Sequence, residues 1–247
     1  MKQFALALAL MSTTTIAKQD ITPVTIWLIG DSTMSKKEVK AYPETGWGMP
    51  FSYFWDSTVK IENRAVNGRS SKSFMAENKW QPVVEKLKAG DYVFIQFGHN
   101  DESKDKGERY STPDEFKSNL KKYVDDTRGK QAIPILLTPV ARRKFDENGK
   151  IKESHGVYPD MVKQVARENN VILIDLDARS MELLDRLGDS TSRLLYNYLA
   201  PGEHPNYPEG KQDDTHFSEL GARKIAEIIL AEIRTQLPAL AERIRKK

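Results

Sequence analysis

The sequence contains no cysteine among its 247 residues. This absence excludes disulfide bonds, thiolate zinc sites and a cysteine nucleophile. Histidine is also scarce, and no two of the four histidines have the HExxH spacing of zinc hydrolases. We therefore expect no protein-bound metal and no other cofactor. The four histidines are His99, His155, His204 and His216.

Neither sign of charge is in large excess, since 38 Lys and Arg residues face 35 Asp and Glu residues. The resulting net charge of +3 does not require a polyanionic partner. The chain also lacks a P-loop, and residues 46–51 lack the third glycine of a dinucleotide-binding fingerprint. No motif of the common nucleic-acid-binding modules is present. We expect no nucleic-acid partner.

No apolar run reaches the roughly 20 residues that a membrane-spanning helix needs. At the start of the chain, Lys2 precedes a short apolar stretch, residues 4–11, and Ala17 offers a small residue for cleavage. This order is typical of an export signal. We interpret residues 1–17 as a signal peptide and residues 18–247 as one domain of a secreted or periplasmic bacterial protein. A buried N-terminal helix is the alternative for the first segment.

Short apolar runs rich in β-branched and aromatic residues predict strands that are buried on both faces. A fifth segment, residues 59–63, alternates between apolar and polar residues, which predicts a weaker strand at an edge of the sheet. The four apolar runs are residues 24–29, 92–97, 133–138 and 171–176.

Helical patterns separate these strands. The pattern at residues 113–128 has a clear start, with Thr112 as N-cap, Pro113 at the first position and Glu115 at the third. Alternating strands and helices predict one domain with a parallel sheet and right-handed crossovers. Asn148 and Gly149 predict a small hairpin, and the proline-rich residues 197–213 predict a long ordered loop. The other helical patterns are residues 81–88, 157–169 and 218–237.

Small polar groups follow the predicted strands, where parallel sheets bind ligands. Gly-Asp-Ser-Thr occupies residues 30–33, Asn-Gly-Arg-Ser-Ser residues 67–71 and Gly-His-Asn-Asp residues 98–101. Asp-Asp-Thr-His-Phe, residues 213–217, precedes the last helix. Together they supply a hydroxyl, an imidazole, carboxylates and an amide, which are the parts of acyl-transfer catalysis. The Gly-x-Ser-x-Gly elbow of α/β-hydrolases is absent, because Met34 replaces its second glycine.

In this order, the four blocks resemble those of the SGNH/GDSL hydrolase superfamily, and the resemblance covers residues 24–237. The same blocks, with Thr-Pro-Val-x-Arg-Arg at residues 138–143, are similar to those of rhamnogalacturonan acetylesterases. The resemblance implies a three-layer α/β/α sandwich with a five-stranded parallel, flavodoxin-like sheet. It makes residues 18–247 an SGNH hydrolase, or carbohydrate esterase, domain.

The resemblance also implies a role for individual residues. Ser32 would be the nucleophile, and His216 would accept its proton and later deliver it to the departing alcohol. Asp213 would orient the imidazole. Spacing alone leaves Asp214 as an alternative for this last role, although the superfamily pattern favours Asp213.

The oxyanion hole implied by the resemblance uses the backbone N–H groups of Ser32 and Gly68 and the side-chain amide of Asn100. A glycine suits this position because the absence of Cβ lets its N–H approach a tetrahedral carbon closely. Asp31 and His99 are interpreted as neighbours that brace the loops.

A sugar substrate needs a stacking surface and polar contacts. Trp47 is the candidate platform, and a place in the core is the alternative for it. Arg69, Arg142 and Arg143, together with Lys72, lie next to strand ends and could form a basic rim for galacturonate carboxylates. The alternative for each of these cations is a solvated surface position.

We expect a monomeric serine esterase that removes O-acetyl groups from plant cell-wall polysaccharide, foremost rhamnogalacturonan, through an acyl-enzyme. An esterase acting on acetylated xylan or oligosaccharides is one alternative. A lipase or thioesterase acting on longer acyl esters is another. A non-catalytic sugar-binding module is the third, and the complete set of catalytic residue types argues against it.

Overall fold

The computed structural model describes residues 22–246, so the expected signal peptide at residues 1–17 lies outside the described part. Its five parallel strands form one sheet in the order β2-β1-β3-β4-β5. This is the flavodoxin-like order, and it confirms the predicted fold with β2 at an edge. The strands are β1 (Val24–Gly30), β2 (Val59–Asn63), β3 (Tyr92–Gln96), β4 (Ile133–Leu137) and β5 (Ile172–Ile174).

Eight α-helices accompany the sheet within residues 22–246. The predicted N-cap of the fourth is present, since the Thr112 side chain accepts from the Glu115 N–H and the Glu115 side chain accepts from the Thr112 N–H. No described helix is both long and apolar enough to cross a membrane. The helices are α1 (Gly48–Phe51), α2 (Ser71–Ala76), α3 (Gln81–Val84), α4 (Pro113–Gly129), α5 (Tyr158–Glu168), α6 (Leu176–Ser192), α7 (Glu219–Gln236) and α8 (Pro238–Ala241).

Successive residues of the central strands point to opposite faces of the sheet, and each face is covered by helices. Leu28 packs in a core with Ile229 of α7, whereas Ile29 packs in a second core with Leu120 of α4. All four side chains are essentially inaccessible to solvent. Burying each contributes about 1.5–3 kcal/mol, so the two cores hold the three layers together.

The structure differs from the sequence prediction around β5. The apolar run at residues 171–176 forms a strand only over Ile172–Ile174, because Asp175 caps α6 by accepting from the Ala178 N–H at 3.3 Å. The helix α6 itself was not predicted, and Gly188 interrupts it with a φ of 70°.

Two excursions rise beside the carboxyl ends of the strands. Phe145 and Ile151 form the antiparallel bridge of the predicted hairpin. The long loop after Asn197 is ordered, and its Tyr207 hydroxyl donates to the Ala41 carbonyl at 2.9 Å. This contact joins the loop to the segment that follows β1.

Candidate active site

Ser32 lies in a tight turn at the carboxyl end of β1. The turn is held by the fully buried Asp31, whose Oδ1 accepts from the Thr33 N–H at 2.9 Å. Gly46 packs against the same turn, and a Cβ there would lie 2.0 Å from the Ser35 carbonyl oxygen. Only glycine therefore fits at position 46. Ser32 itself is 9% exposed.

Three of the predicted residues form a series in which each lies within hydrogen-bond distance of the next. His216 Nε2 lies 2.9 Å from Ser32 Oγ, and His216 Nδ1 lies 2.9 Å from Asp213 Oδ2. The other oxygen of Asp213 accepts from the backbone N–H groups of Thr215 and His216. These distances allow Asp213 to accept from Nδ1–H, which leaves Nε2 free to take the serine proton.

The electrostatics of Asp213 suit this arrangement. Burial raises the pKa of its carboxyl group, but the hydrogen bonds and charge of His216 and the two backbone N–H groups outweigh burial. The pKa of Asp213 therefore lies below its usual range. The group stays ionised and favours a positively charged imidazole beside it.

The alternative orienting residue, Asp214, faces elsewhere. Its Oδ1 accepts from Arg143 Nη1 at 2.7 Å and from the Tyr198 hydroxyl at 2.6 Å. The carboxylate therefore belongs to an ion pair with Arg143. Of the two neighbouring aspartates, Asp213 is the one that contacts the histidine.

Three hydrogen-bond donors follow the carboxyl ends of three adjacent strands, β1, β2 and β3. The backbone N–H groups of Ser32 and Gly68 have no acceptor among residues 22–246, and Gly68 has the positive φ of 71° that favours glycine. The side-chain amide of Asn100 donates to the Arg69 carbonyl at 3.1 Å, which fixes its orientation and leaves its second N–H available. This is the donor set predicted for an oxyanion hole, and its role remains a prediction.

A lysine that sequence reasoning missed lies beneath this site. The buried Lys37 ammonium donates to the Ser32 carbonyl at 2.6 Å and to Asn67 Oδ1 at 2.9 Å, and it pairs with Glu44 at 2.7 Å. It thereby joins the nucleophile turn to the residue before Gly68. Burial lowers the pKa of Lys37, and the charge of Glu44 opposes that shift.

Asp31 and His99 brace the loops, as predicted. His99 Nδ1 lies 3.3 Å from Asp31 Oδ2, and both side chains are buried. Burial lowers the pKa of His99 to about 4, although Asp31 opposes the shift. The His99 ring also packs edge-on against His155 at 4.4 Å. The contact between His99 and Asp31 joins the nucleophile turn to the loop after β3.

Trp47 is not the predicted sugar platform. Its side chain is 0% exposed, its Nε1–H donates to Gln96 Oε1 at 2.6 Å, and its ring packs edge-on against Phe51. The side-chain amide of Gln96 in turn donates to Thr33 Oγ1 at 2.8 Å. Trp47 is thus a core residue that supports the nucleophile turn from below.

The prediction of a basic rim is wrong for Arg143. Its side chain is 5% exposed and forms ion pairs with Asp189 and Asp214. Arg143 also donates to the Asp189 carbonyl at 2.7 Å. The guanidinium is therefore an internal support for the loop that carries Asp213.

The other predicted cations are partly exposed and already face carboxylates. Arg69 pairs with Glu77 at 2.9 Å, and Arg142 pairs with Glu102. Lys72, on α2, has only a distant carboxylate partner at 4.0 Å. Contact between Arg69 or Arg142 and a substrate carboxylate stays a prediction, since each would have to share its present partner.

One group of side chains within residues 22–246 has ligand atoms close enough to hold a metal ion. It consists of Glu44, Asp213 and His216, whose ligand atoms lie within 4.8 Å of one another. Each is already engaged, Glu44 by Lys37 and the other two by each other. The arrangement therefore favours hydrogen bonding within the site over metal coordination.

Comparisons with known proteins agree with this geometry. Residues 28–224 match the GDSL-like lipase/acylhydrolase family. The rhamnogalacturonan acetylesterase RhgT of Bacillus subtilis is 41% identical over 84% of this chain and 88% of its own length. The probable rhamnogalacturonan acetylesterase YesY of the same organism is 36% identical over 90% of this chain and 98% of its own.

A solved structure supports the fold as well. The crystal structure of the Bacillus subtilis protein YxiM superposes with a TM-score of 0.74 at 24% identity. The match covers 90% of this chain and 59% of that longer chain. With the family match over most of the sequence, these likenesses show that the chain belongs to the GDSL-like lipase/acylhydrolase family and is a carboxylic ester hydrolase.

Proposed function

We propose that the protein removes O-acetyl groups from rhamnogalacturonan, a pectic polysaccharide, through an acetyl-enzyme intermediate. The observation that carries the proposal is the hydrogen-bonded series from Asp213 through His216 to Ser32, together with the backbone N–H groups of Ser32 and Gly68, which have no acceptor among residues 22–246. The names of the two Bacillus subtilis relatives support the choice of polysaccharide.

In the first half of the reaction, Ser32 Oγ attacks the acetyl carbonyl carbon while His216 Nε2 takes the hydroxyl proton. The carbonyl oxygen becomes an oxyanion that accepts from the N–H groups of Ser32 and Gly68 and from the Asn100 amide. Removing one such donor from a serine hydrolase costs about 3 kcal/mol of transition-state stabilisation. His216 then gives its proton to the sugar oxygen as the ester C–O bond breaks.

In the second half, water attacks the acetyl group that is now bound to Ser32. His216 takes a proton from the water and returns one to Ser32 Oγ as acetate leaves. Asp213 stabilises the imidazolium in both halves and keeps the ring in one orientation. Every proton that moves passes through His216 Nε2, so no further acid or base is required.

We also propose that the protein is exported and acts outside the cytoplasm. The support is the basic residue and short apolar stretch of residues 1–17. Expression in a bacterium, followed by N-terminal sequencing of the extracellular or periplasmic protein, tests this. A protein that remains cytoplasmic with its first residues intact would contradict it.

Acetate release from acetylated rhamnogalacturonan, acetylated homogalacturonan and acetylated xylan tests the main proposal. We expect rhamnogalacturonan to be the fastest substrate. Ser32→Ala should lose on the order of 10⁶-fold in kcat, as removal of the nucleophile does in other serine hydrolases. Ser52→Ala, the same change at an exposed serine, is the matched control.

Three results would overturn the proposal or a part of it. Faster release from xylan than from rhamnogalacturonan would reassign the substrate. Turnover increasing along a series of chromogenic esters from acetate to octanoate would indicate a lipase or thioesterase. Turnover by Ser32→Ala close to that of the wild type would remove the nucleophile assignment.

A further inference from the structure

The guanidinium of Arg109 lies directly over Gly68. A Cβ on Gly68 would be 3.1 Å from Arg109 Nη1 and 3.6 Å from its Cζ. Arg109 belongs to the loop between β3 and α4 and is partly exposed. A positive charge that is partly exposed to solvent therefore lies beside one of the predicted oxyanion donors.

Arg109 differs from the other arginines near the site in having no partner. Within residues 22–246 its side chain forms no ion pair and no hydrogen bond. Arg69, by contrast, pairs with Glu77, and Arg142 pairs with Glu102. Guanidinium groups prefer planar, bidentate partners such as carboxylates, and Arg109 has none among residues 22–246.

A surface groove begins next to Arg109. It is lined by α2 and by the neighbouring Gly107 and Glu108, and its volume is about 660 Å³. Its lining includes the positive side chain of Lys72 and the carboxylates of Glu77 and Glu108, so Arg109, which lies beside the groove, is the unpaired cation nearest to Gly68 among residues 22–246.

We propose that Arg109 binds the carboxylate of a uronic acid in the substrate and so selects acidic over neutral acetylated polysaccharides. Since the guanidinium lies against Gly68, the carboxylate belongs to the acetylated sugar or to its immediate neighbour. The inference rests on the proposed esterase function and specifies the substrate feature that the site recognises. Sequence reasoning missed Arg109, because no motif marks it and the loop brings it to Gly68 only in the folded protein.

The test compares an acetylated galacturonate oligosaccharide with the same compound after methyl esterification of its carboxyl groups. We expect Arg109→Gln to lower kcat/KM for the acidic compound about 10- to 100-fold, the range for losing a hydrogen bond to a charged group. The loss on the methyl ester should be smaller by about tenfold or more. Arg109→Lys should fall between, because it keeps the charge but loses the planar fork.

Lys106→Gln is the matched control, since it removes one positive charge from an exposed residue of the same loop. It should keep the wild-type preference for the acidic compound. Equal losses on both compounds for Arg109→Gln would assign the residue to oxyanion stabilisation and overturn the proposal. An unchanged preference would overturn it as well.

These results are separable from a failure of the proposed function. If the wild type hydrolyses simple acetate esters but releases no acetate from acidic oligosaccharides, both the pectic substrate and the role of Arg109 are wrong. If the wild type prefers the acidic compound and Arg109→Gln does too, only the assignment of Arg109 is wrong.

Discussion

The two halves of the active site are built differently. The nucleophile half consists of Ser32 and the groups behind it, and its Asp31 and Lys37 side chains are fully buried. The acid–base half is formed by Asp213 and His216 at the end of a long loop, where their side chains are 13% and 28% exposed. The first half is thus part of the protein core, and the second rests on its surface.

This difference predicts different consequences of mutation. A change behind the nucleophile leaves a buried charge or polar group without its partner, so it weakens the fold and catalysis together. A change at Asp213 or His216 removes a contact closer to solvent, so it weakens catalysis with a smaller effect on stability. Three experiments test this contrast.

Asp213→Asn has the largest expected effect, on the acid–base half. The amide cannot hold the imidazole in the required tautomer, and the equivalent change in a serine protease costs about 10⁴-fold in kcat. We expect a loss of that order, measured by acetate release. The free energy of unfolding, from urea denaturation, should fall by less than in Lys37→Met, because the asparagine oxygen can still accept from the backbone N–H groups of Thr215 and His216.

Asp214→Asn is the matched control, because it makes the same change one residue away. Its carboxylate pairs with the buried Arg143, so the variant should lose some stability while kcat stays within about tenfold of the wild type. A reversed pattern, in which Asp214→Asn loses turnover and Asp213→Asn keeps it, would exchange the roles of the two aspartates.

Lys37→Met tests the nucleophile half. It leaves Glu44 in a largely buried site without its ion-pair partner, which typically costs about 3–5 kcal/mol of stability. It also removes the hydrogen bonds from the Lys37 ammonium to the Ser32 carbonyl and the Asn67 side chain, so kcat should fall as well. Urea unfolding and acetate release measure the two effects.

The double variant Lys37→Met, Glu44→Gln separates stability from positioning. Removing the uncompensated charge should restore part of the stability, but kcat should stay low because the hydrogen bonds to Ser32 and Asn67 are still missing. Recovery of kcat together with stability would show that Lys37 acts on the fold alone. A stable, fully active Lys37→Met would remove the contrast between the two halves.

His99→Gln has the smallest expected effect, and the part that reports the titration of His99 appears on acidification. Burial lowers the pKa of His99 to about 4, whereas the unfolded chain takes up this proton near pH 6.5. Between these values the unfolded state binds more protons, so the wild type loses stability as pH falls. From pH 6.5 to 5 this contribution is about 2 kcal/mol.

The variant cannot take up this proton, so its stability should fall less steeply over the same interval. Asp101, whose pKa burial raises to about 7, contributes a slope of the opposite sign in both proteins. The measurement is therefore the difference between wild type and variant in unfolding free energy from pH 6.5 to 5. Parallel curves would show that His99 does not titrate as its burial implies.

Much of the fold follows directly from sequence pattern. Continuous apolar runs predicted β1, β3 and β4 to within a residue at their ends, since a strand buried on both faces has no other composition. The sequence pattern did not predict α6, because the apolar run before it continues to Leu176, past the point where Asp175 ends the strand. At Asp175 the chain passes from strand to helix through a side-chain cap, and the spacing of apolar residues does not reveal such a cap.

The site was predictable where its chemistry is local in sequence. Asp213 and His216 are three residues apart, so a short motif contains their contact. Trp47 and Arg143 were misjudged because burial depends on what other segments pack against them. Lys37 was missed for a related reason, since its neighbour Lys36 is the same residue type and only the fold makes one buried and the other exposed.

The burial of Lys37 also has a consequence for handling the enzyme. Amine-directed reagents react with accessible, deprotonated lysine side chains, and the Lys37 side chain is 0% exposed. Attachment of the protein to an activated solid matrix would therefore use its surface lysines. Lys37, which lies beneath Ser32, would stay unmodified. Because Lys37 is shielded in the folded protein, its labelling would report that the nucleophile turn has opened.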